Sequence, residues 1–393
     1  KSREPKKFWK ATNKHCHSSY RRWVHKRQAI LNGVPLRNKV QGDPAYQFSK
    51  TGWWDTPDFL SNGFGFQEKE GVSYFHGIVA NMRTIHRFRK PLILMSIGIG
   101  NDKYIGRLDS TQFKVNGISV PLKKHYLEKE VAWFNLPKPL LPGDSIIIST
   151  PFQVKVPFGE VSRLGHLNSS YQITQWYPKP AVYDKNGWNV MPYLSMGEFY
   201  SEYGEFNVAI TLPKKYKLAA SGNLVNVTTL ENLRTENYSI NNVHDFAWFA
   251  DTSWIEETSW VILPNSGKKV KTYMKYCPKD SNVYRNSVQF VDSALYYYSL
   301  WIGDYPYDIC GAVDGGLTAG AGMEYPTITV LGGNENRAFH EEVTVHEIGH
   351  NWFYGILGSN ERKNPWMDEG INSYYERRYY EEVKPKMNFY DFF

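Results

Sequence analysis

Five residues set the chemistry open to this chain. His346, Glu347, Ile348, Gly349 and His350 follow the pattern H-E-x-x-H. On a helix, positions four apart differ by about 40° in azimuth and about 6 Å in height, so both imidazoles leave one face and can share a metal ion. Glu347 stands about 100° round from His346, placed to reach a water on the metal without being a ligand. A catalytic zinc site takes three protein ligands and keeps a fourth position open. Asn364-Pro365-Trp366-Met367-Asp368-Glu369-Gly370 offers the third. It reads as the start of a second helix, with Asn364 as N-cap and Pro365 at the first helical position. Eighteen residues separate His350 from Glu369, room for a helix end, a loop and a return. The pattern predicts one Zn²⁺ held by His346, His350 and Glu369, with Glu347 as general base. A lone H-E-x-x-H also arises by chance on charged helices, where the two histidines merely hydrogen-bond. The capped second helix carrying Glu369 argues against that. The rival pattern with a Gly and a third His fails, because Phe353 and Ile356 occupy those positions.

A family resemblance rests on these residues and their neighbours. His346-Glu347-Ile348-Gly349-His350-Asn351-Trp352-Phe353-Tyr354-Gly355, followed by Trp366-Met367-Asp368-Glu369-Gly370, resembles the gluzincin aminopeptidases, the family of aminopeptidase N. Upstream, Ala321-Gly322-Met323-Glu324-Tyr325 is similar to that family's G-x-M-E-N exopeptidase motif, with Ala321 at the Gly position and Tyr325 at the Asn position. The three motifs stand in the family's order and at about its spacing. The resemblance covers about residues 111–393. It implies a zinc-dependent peptidase acting on the first peptide bond, with Glu324 binding the substrate's free amino group and Gly322 and Met323 beside it. It also implies that the loop Thr174-Gln175-Trp176-Tyr177 reaches the active site, where the family commonly carries T-Q-x-E/Q. Gln175 matches, whereas Tyr177 replaces an acid or amide. A tyrosine can accept a hydrogen bond from an ammonium but carries no charge at neutral pH, so the implied anchor is weaker. The bland alternative is that Gln175 and Tyr177 only pack at a domain junction. Tyr177 also keeps open a zinc endopeptidase or related hydrolase on the same site. A third reading is a non-catalytic scaffold that binds zinc for folding; the intact Glu347 speaks against it, since a structural site needs no general base. The family's transition-state tyrosine lies several tens of residues beyond the glutamate ligand, ahead of a helical domain. This sequence has 24 residues after Glu369 and opens on Lys1. It is therefore expected to be a fragment or trimmed product of a longer protein.

The elements that must position these groups are legible in outline. The zinc helix is expected over 338–354, entered through the turn at 332–334 and stopped by Gly355 or Gly358. The second helix is expected over 365–382. Between 325 and 331 β-branched residues predict a strand, which Pro326 places at a sheet edge. An edge strand beside a zinc cleft can pair with an extended peptide. Tyr284, Val288, Val291 and Leu295 recur at helical spacing and predict a helix over 281–302. The glycine-rich stretch 311–322 lacks G-x-x-x-x-G-K-S/T and is no phosphate loop. Before it the texture is β. Asn116-Gly117 marks a hairpin at 113–120, and strands are expected at 145–149, 207–212 and 245–250. The fold class is α+β and multidomain. A basic arm of no assigned structure (1–45) precedes an antiparallel β-rich domain (46–255) and a partial, thermolysin-like zinc catalytic domain (256–393).

Composition bounds the rest. The net charge is +7, but the first 40 residues hold twelve Lys or Arg against one acid. No nucleic-acid-binding motif accompanies them, so the basic stretch reads as a solvated arm and no nucleic-acid partner is expected. Cys16, Cys277 and Cys310 allow one disulfide at most, which excludes a disulfide scaffold. His15-Cys16-His17 is too tightly spaced for one tetrahedral metal site. No stretch approaches the roughly 20 apolar residues of a membrane span; the run at 92–99 is strand-sized. Aromatic content of 16% is a bias common in extracytoplasmic and peptide-handling proteins.

Overall fold

The computed structural model describes residues 66–69, 72–75, 106–124, 131–159, 163–185, 187–190, 200–315, 322–332 and 336–384. The basic arm, the His15-Cys16-His17 cluster, the apolar run at 92–99 and Ala321 lie outside the described residues. The chain divides into two units. One comprises Lys1–Gly100 with Leu194–Met196, and the other Asn101–Tyr193 with Gly197–Phe393. In the first, the described part is an antiparallel pair, Phe66–Lys69 against Val72–Phe75.

The second unit is mixed and strand-rich. Its N-terminal part is antiparallel. Asn116 and Gly117 both take positive φ, 48° and 82°, and join Lys114–Val115 to Ile118–Ser119 in the two-residue hairpin that an Asn-Gly pair favours. Gly204–Pro213, Leu233–Val243 and Asn223–Leu230 form a three-stranded sheet. Its inner face supplies Ile210, Tyr238 and Ile240 to a core shared with Leu218, Phe246 and Ala250. A four-stranded sheet comprises Gly165–Leu167, Ser170–Ile173, Trp248–Asp251 and Lys217–Ala220. The third strand begins three residues later than sequence alone indicates, because Asp245 turns its carboxylate onto its neighbour's N–H, from Phe246, and holds the chain out of the ladder.

The site rests on a five-stranded sheet of β1 (Ile255–Ile262), β2 (Lys269–Tyr276), β3 (Ile309–Asp314), β4 (Gly322–Tyr325) and β5 (Ile328–Leu331), in the order β1-β2-β3-β5-β4. β2, β3 and β5 run parallel, and β1 and β4 flank them antiparallel. A parallel pair needs a crossover. Between β2 and β3 it is made by α1 (Ser281–Tyr284) and α2 (Val288–Ile302). The single helix expected here is broken, because Asn286 takes φ 62° between the two pieces. The central β3 is covered on both faces, so Cys310, Ala312 and Val313 are wholly buried.

Two further helices close the unit. In α3 (Arg337–Gly349), the Asn336 side chain accepts from the N–H of Phe339 at 2.9 Å and caps the first turn. Val343, Thr344 and Val345 are indifferent helix formers. Packing therefore holds α3: Val345 and Ile348 are wholly buried against α2 and the sheet. Each such side chain contributes about 1.5–3 kcal/mol. A π-helical turn, Trp366–Gly370, leads into α4 (Ile371–Val383), which packs on α3 through Tyr379 and Tyr380. On the other face of the sheet, Met323, Tyr325, Val330 and Tyr354 share a core with Ala219, Phe249 and Trp254 of the N-terminal strands. No helix among the described residues is long and apolar enough to cross a membrane.

Candidate active site

α3, which stops at Gly349 rather than running on to 354, and its helical C-cap residue His350 present the two histidines where helical spacing puts them. His346 Nε2 and His350 Nε2 lie 3.1 Å apart. Glu369, on the π-helical turn, brings Oε2 to 3.3 Å from the first and 3.8 Å from the second. Ligands about 2.0–2.1 Å from a tetrahedral zinc are roughly 3.3 Å from one another, so the triangle has the size a zinc ion requires. Each histidine's other nitrogen is held from behind. His346 Nδ1 meets Glu376 Oε2 at 2.9 Å, and His350 Nδ1 lies 2.6 Å from Asp368 Oδ1 and 3.1 Å from the Phe353 carbonyl. Such backing fixes the tautomer and aims Nε2 at the site. Asn351 does not serve this way; its amide bonds the Ile348 carbonyl and the Thr327 N–H.

The electrostatics ask for a cation. Burial opposes charge on His346, yet its hydrogen bonds to Glu369 and Glu376 outweigh that and raise its pKa to about 10. Burial likewise opposes charge on His350, and the carboxylates of Glu324 and Asp368 overcome it. The hydrogen bond to His346 lowers Glu369 to about 2. Acids thus draw protons onto the nitrogens that a metal would occupy, and a divalent ion displaces such protons. Glu347 is buried, and burial raises its pKa. Its Oε2 has no hydrogen-bond partner among the described residues.

β4 carries the second motif. Strand alternation turns Met323 and Tyr325 into the core at 3% exposure each and leaves Gly322 and Glu324 on the opposite, half-buried face. Met323 is therefore a packing residue. Gly322 abuts Glu347: a Cβ there would lie 2.4 Å from Glu347 Oε1. Glu324, His350 and Asp368 bring ligand-type atoms within 4.8 Å of one another, so Glu324 borders the histidine pair. Pro326 does not lie in a strand. It occupies a two-residue turn with Thr327 (φ 63°), and at this end of the sheet the edge strand among the described residues is β4, with β5 inside it.

The described contacts of the loop at 174–177 are packing ones, as in the second of its two readings. Tyr177 donates its hydroxyl proton to Asp245 Oδ1 at 2.8 Å, and its ring packs on Trp176 and Phe206. Gln175 takes φ 46° and is half-buried. Sequence reading missed Glu376, although it lies seven residues, about two helical turns, beyond Glu369. It also missed Arg163, whose charge bears on Glu347 and Glu369 and which no local pattern marks.

No family model matches this chain, and no curated protein matches it. Solved structures do. The M1 zinc metallopeptidase from Deinococcus radiodurans superposes with a TM-score of 0.53 at 19% identity, over 71% of this chain and 62% of that one. A mutant of it gives 0.54, also at 19% identity and over 71% and 62%. A mutant bound to a Tyr-Ser-Ala substrate gives 0.53 at 18% identity, over 71% and 61%. This chain thus spans about three fifths of those chains, and the likeness is one of fold.

Proposed function

We propose that this chain carries the catalytic centre of a zinc-dependent aminopeptidase of the M1, gluzincin type. In this reading a β-rich domain (46–255) precedes a partial thermolysin-like catalytic domain (256–393), and the substrate is a peptide. One observation carries the proposal: three ligand-type atoms stand 3.1–3.8 Å apart beside the buried Glu347, whose Oε2 has no hydrogen-bond partner among the described residues. The fold likeness to a peptidase bound to a Tyr-Ser-Ala substrate supports the choice of substrate class.

His346, His350 and Glu369 would hold one zinc ion. When bound, zinc polarises the scissile carbonyl as a Lewis acid and lowers the pKa of a bound water. Glu347, its basicity raised by burial, takes the proton of the attacking water and passes it to the leaving amine. Gly322 leaves the space that the Glu347 carboxylate fills. The outer edge of β4, unpaired among the described residues, aligns an extended peptide through main-chain hydrogen bonds. Glu324 accepts from the substrate ammonium and confines cleavage to the first residue. Gln175 lies with Tyr177 on the loop that would close this end of the cleft.

The test measures amino acid released from unblocked and N-acetylated peptides, with zinc content determined alongside and Glu347→Gln as control. One zinc per chain and release from unblocked peptides alone, abolished in the control, is expected. Cleavage of the acetylated peptides would replace the reading with an endopeptidase. Absence of zinc binding at micromolar concentration would end it.

A further inference from the structure

A second cluster of ligand-type atoms shares no residue with the first. The thiol of Cys277 and the carboxylates of Asp280 and Asp314 bring ligand atoms within 4.8 Å of one another. Donors held about 2.0–2.3 Å from a tetrahedral ion stand roughly 3.3–3.7 Å apart, inside that bound. The topology assembles the cluster. Cys277 follows the last residue of β2, and Asp314 is the last residue of β3. These strands are parallel neighbours with Lys275 in register with Val313, so both residues leave the same end of the sheet. Asp280 ends the 3₁₀ turn Pro278–Asp280, and its N–H bonds the Cys277 carbonyl at 3.0 Å. Cys277 and Asp314 are buried, and Asp280 is half-buried.

Local hydrogen bonds account for part of this arrangement only. Asp314 Oδ2 accepts the Cys277 N–H at 3.0 Å, a task that a neutral amide could also perform. Nothing in that bond requires a thiol beside two acids. The thiol is no nucleophile, because burial and then Asp314 and Asp251 push it up to about 12, and a thiol that keeps its proton is unreactive. Asp251 adds a further buried carboxylate, and the donors to it from Ser170 and Ser253 are neutral. A divalent ion reverses this balance, since it takes the thiol as thiolate and offsets the acids. A separate observation points the same way. Trp254 packs in the same core as Cys277, and its indole N–H, on a side chain 2% exposed, has no acceptor among the described residues. A buried orphan donor calls for an acceptor, and a water completing an ion's shell is one.

We propose that Cys277, Asp280 and Asp314 form a second metal site, which takes a divalent ion of the zinc class and pins the carboxyl ends of β2 and β3 to the turn that leads into α1. One sulfur among oxygens suits zinc rather than calcium or magnesium, which take oxygen ligands. The site uses none of the residues assigned to catalysis, so it stands whether or not the chain is an aminopeptidase.

Cobalt(II) titration of the metal-free chain tests it. Cobalt replaces zinc in tetrahedral sites and absorbs in the near ultraviolet when a thiolate binds it. His346, His350 and Glu369 supply no sulfur, so that band reports the second site alone. Two ions per chain and a sulfur band are expected. Cys277→Ser should lose the band and one ion, whereas Cys16→Ser, Cys310→Ala and His350→Ala should keep the band. Asp280→Asn, on a half-exposed turn where folding is little affected, should weaken the sulfur-bound ion more than about tenfold, since even the loss of a ligand's outer partner costs that much. A titration without a sulfur band overturns the site. So does a band that survives Cys277→Ser, or one of unchanged affinity in both Asp280→Asn and Asp314→Asn.

Discussion

Gly322 and Glu347 meet at a distance that leaves no room for one added methyl group. A Cβ at 322 would fall 2.4 Å from Glu347 Oε1 and 2.6 Å from its Cδ, and the crowded atoms belong to the carboxylate proposed as general base. Gly322→Ala should therefore move the carboxylate off its position. Displacements near 1 Å cost about 100-fold in rate. The expected result is a fall of that order in kcat with zinc content unchanged. Loss of zinc with kcat per bound zinc intact would show that the clash acts on the ligands instead. Glu376 gives the complementary case. It touches His346 Nδ1 and not the ligand triangle. Glu376→Gln should raise the zinc dissociation constant about 10–100-fold, read by competition with a chelator. The H-E-x-x-H pattern is legible because four residues of helix convert directly into geometry. The backing acids are less so: Glu376 shares a face with Glu369 only because a π-helical turn and α4 run on without a break. The destination of the Tyr177 hydroxyl was beyond reach, since its partner Asp245 lies 68 residues away.

At the scale of elements, α3 and α4 must approach closely enough for Glu369 and Glu376 to flank one histidine. Gly349 permits it. A Cβ there would lie 2.0 Å from Asn372 Oδ1 and 2.7 Å from the Tyr298 hydroxyl. Asn372 in turn donates to the His346 carbonyl at 2.8 Å and stitches α4 to α3. Overpacking a core typically costs about 1–3 kcal/mol. Gly349→Ala should lower the melting temperature and weaken zinc together, because the helices that part also carry the ligands. A variant equal to wild type in both would show that the contact is slack. The elements themselves were readable where a local signal names them, as with the Asn116-Gly117 hairpin; the second helix is present, but it opens as a π-helical turn and Asn364 does not cap it with its side chain. They were misread where a tertiary contact overrides the signal. Thr327 holds positive φ because its N–H meets Asn351 and its hydroxyl accepts from Gly222 N–H at 2.8 Å. That bond crosses to the N-terminal strands, so no window around Pro326 reveals the turn.

Over the unit as a whole, buried histidines tie stability to pH. His244 and His340 are buried, at 3% and 0% exposure, and burial lowers both pKa values to about 3. His340 is enclosed by Tyr284 and Phe290, and neither ring nitrogen has a hydrogen-bond partner among the described residues. Unfolding returns each imidazole to an ordinary value near 6.5, so between about pH 6.5 and 3 the unfolded chain binds protons that the folded chain refuses. Each histidine therefore costs stability as the pH falls through that window, and nothing above it. Glu342 works in the opposite sense: burial and then Glu376 raise it to about 7, so folding favours its protonated form as the pH falls from 7 towards 4.5. The net profile mixes the two signs, and a comparison of variants separates them. In urea titrations from pH 7 to pH 4, His340→Leu should lose less stability than wild type. The gap should widen by about 1.4 kcal/mol for each pH unit below 6.5. Parallel profiles would mean that the imidazole gains a proton without leaving the core, and that the space between Tyr284 and Phe290 is wetter than its burial implies.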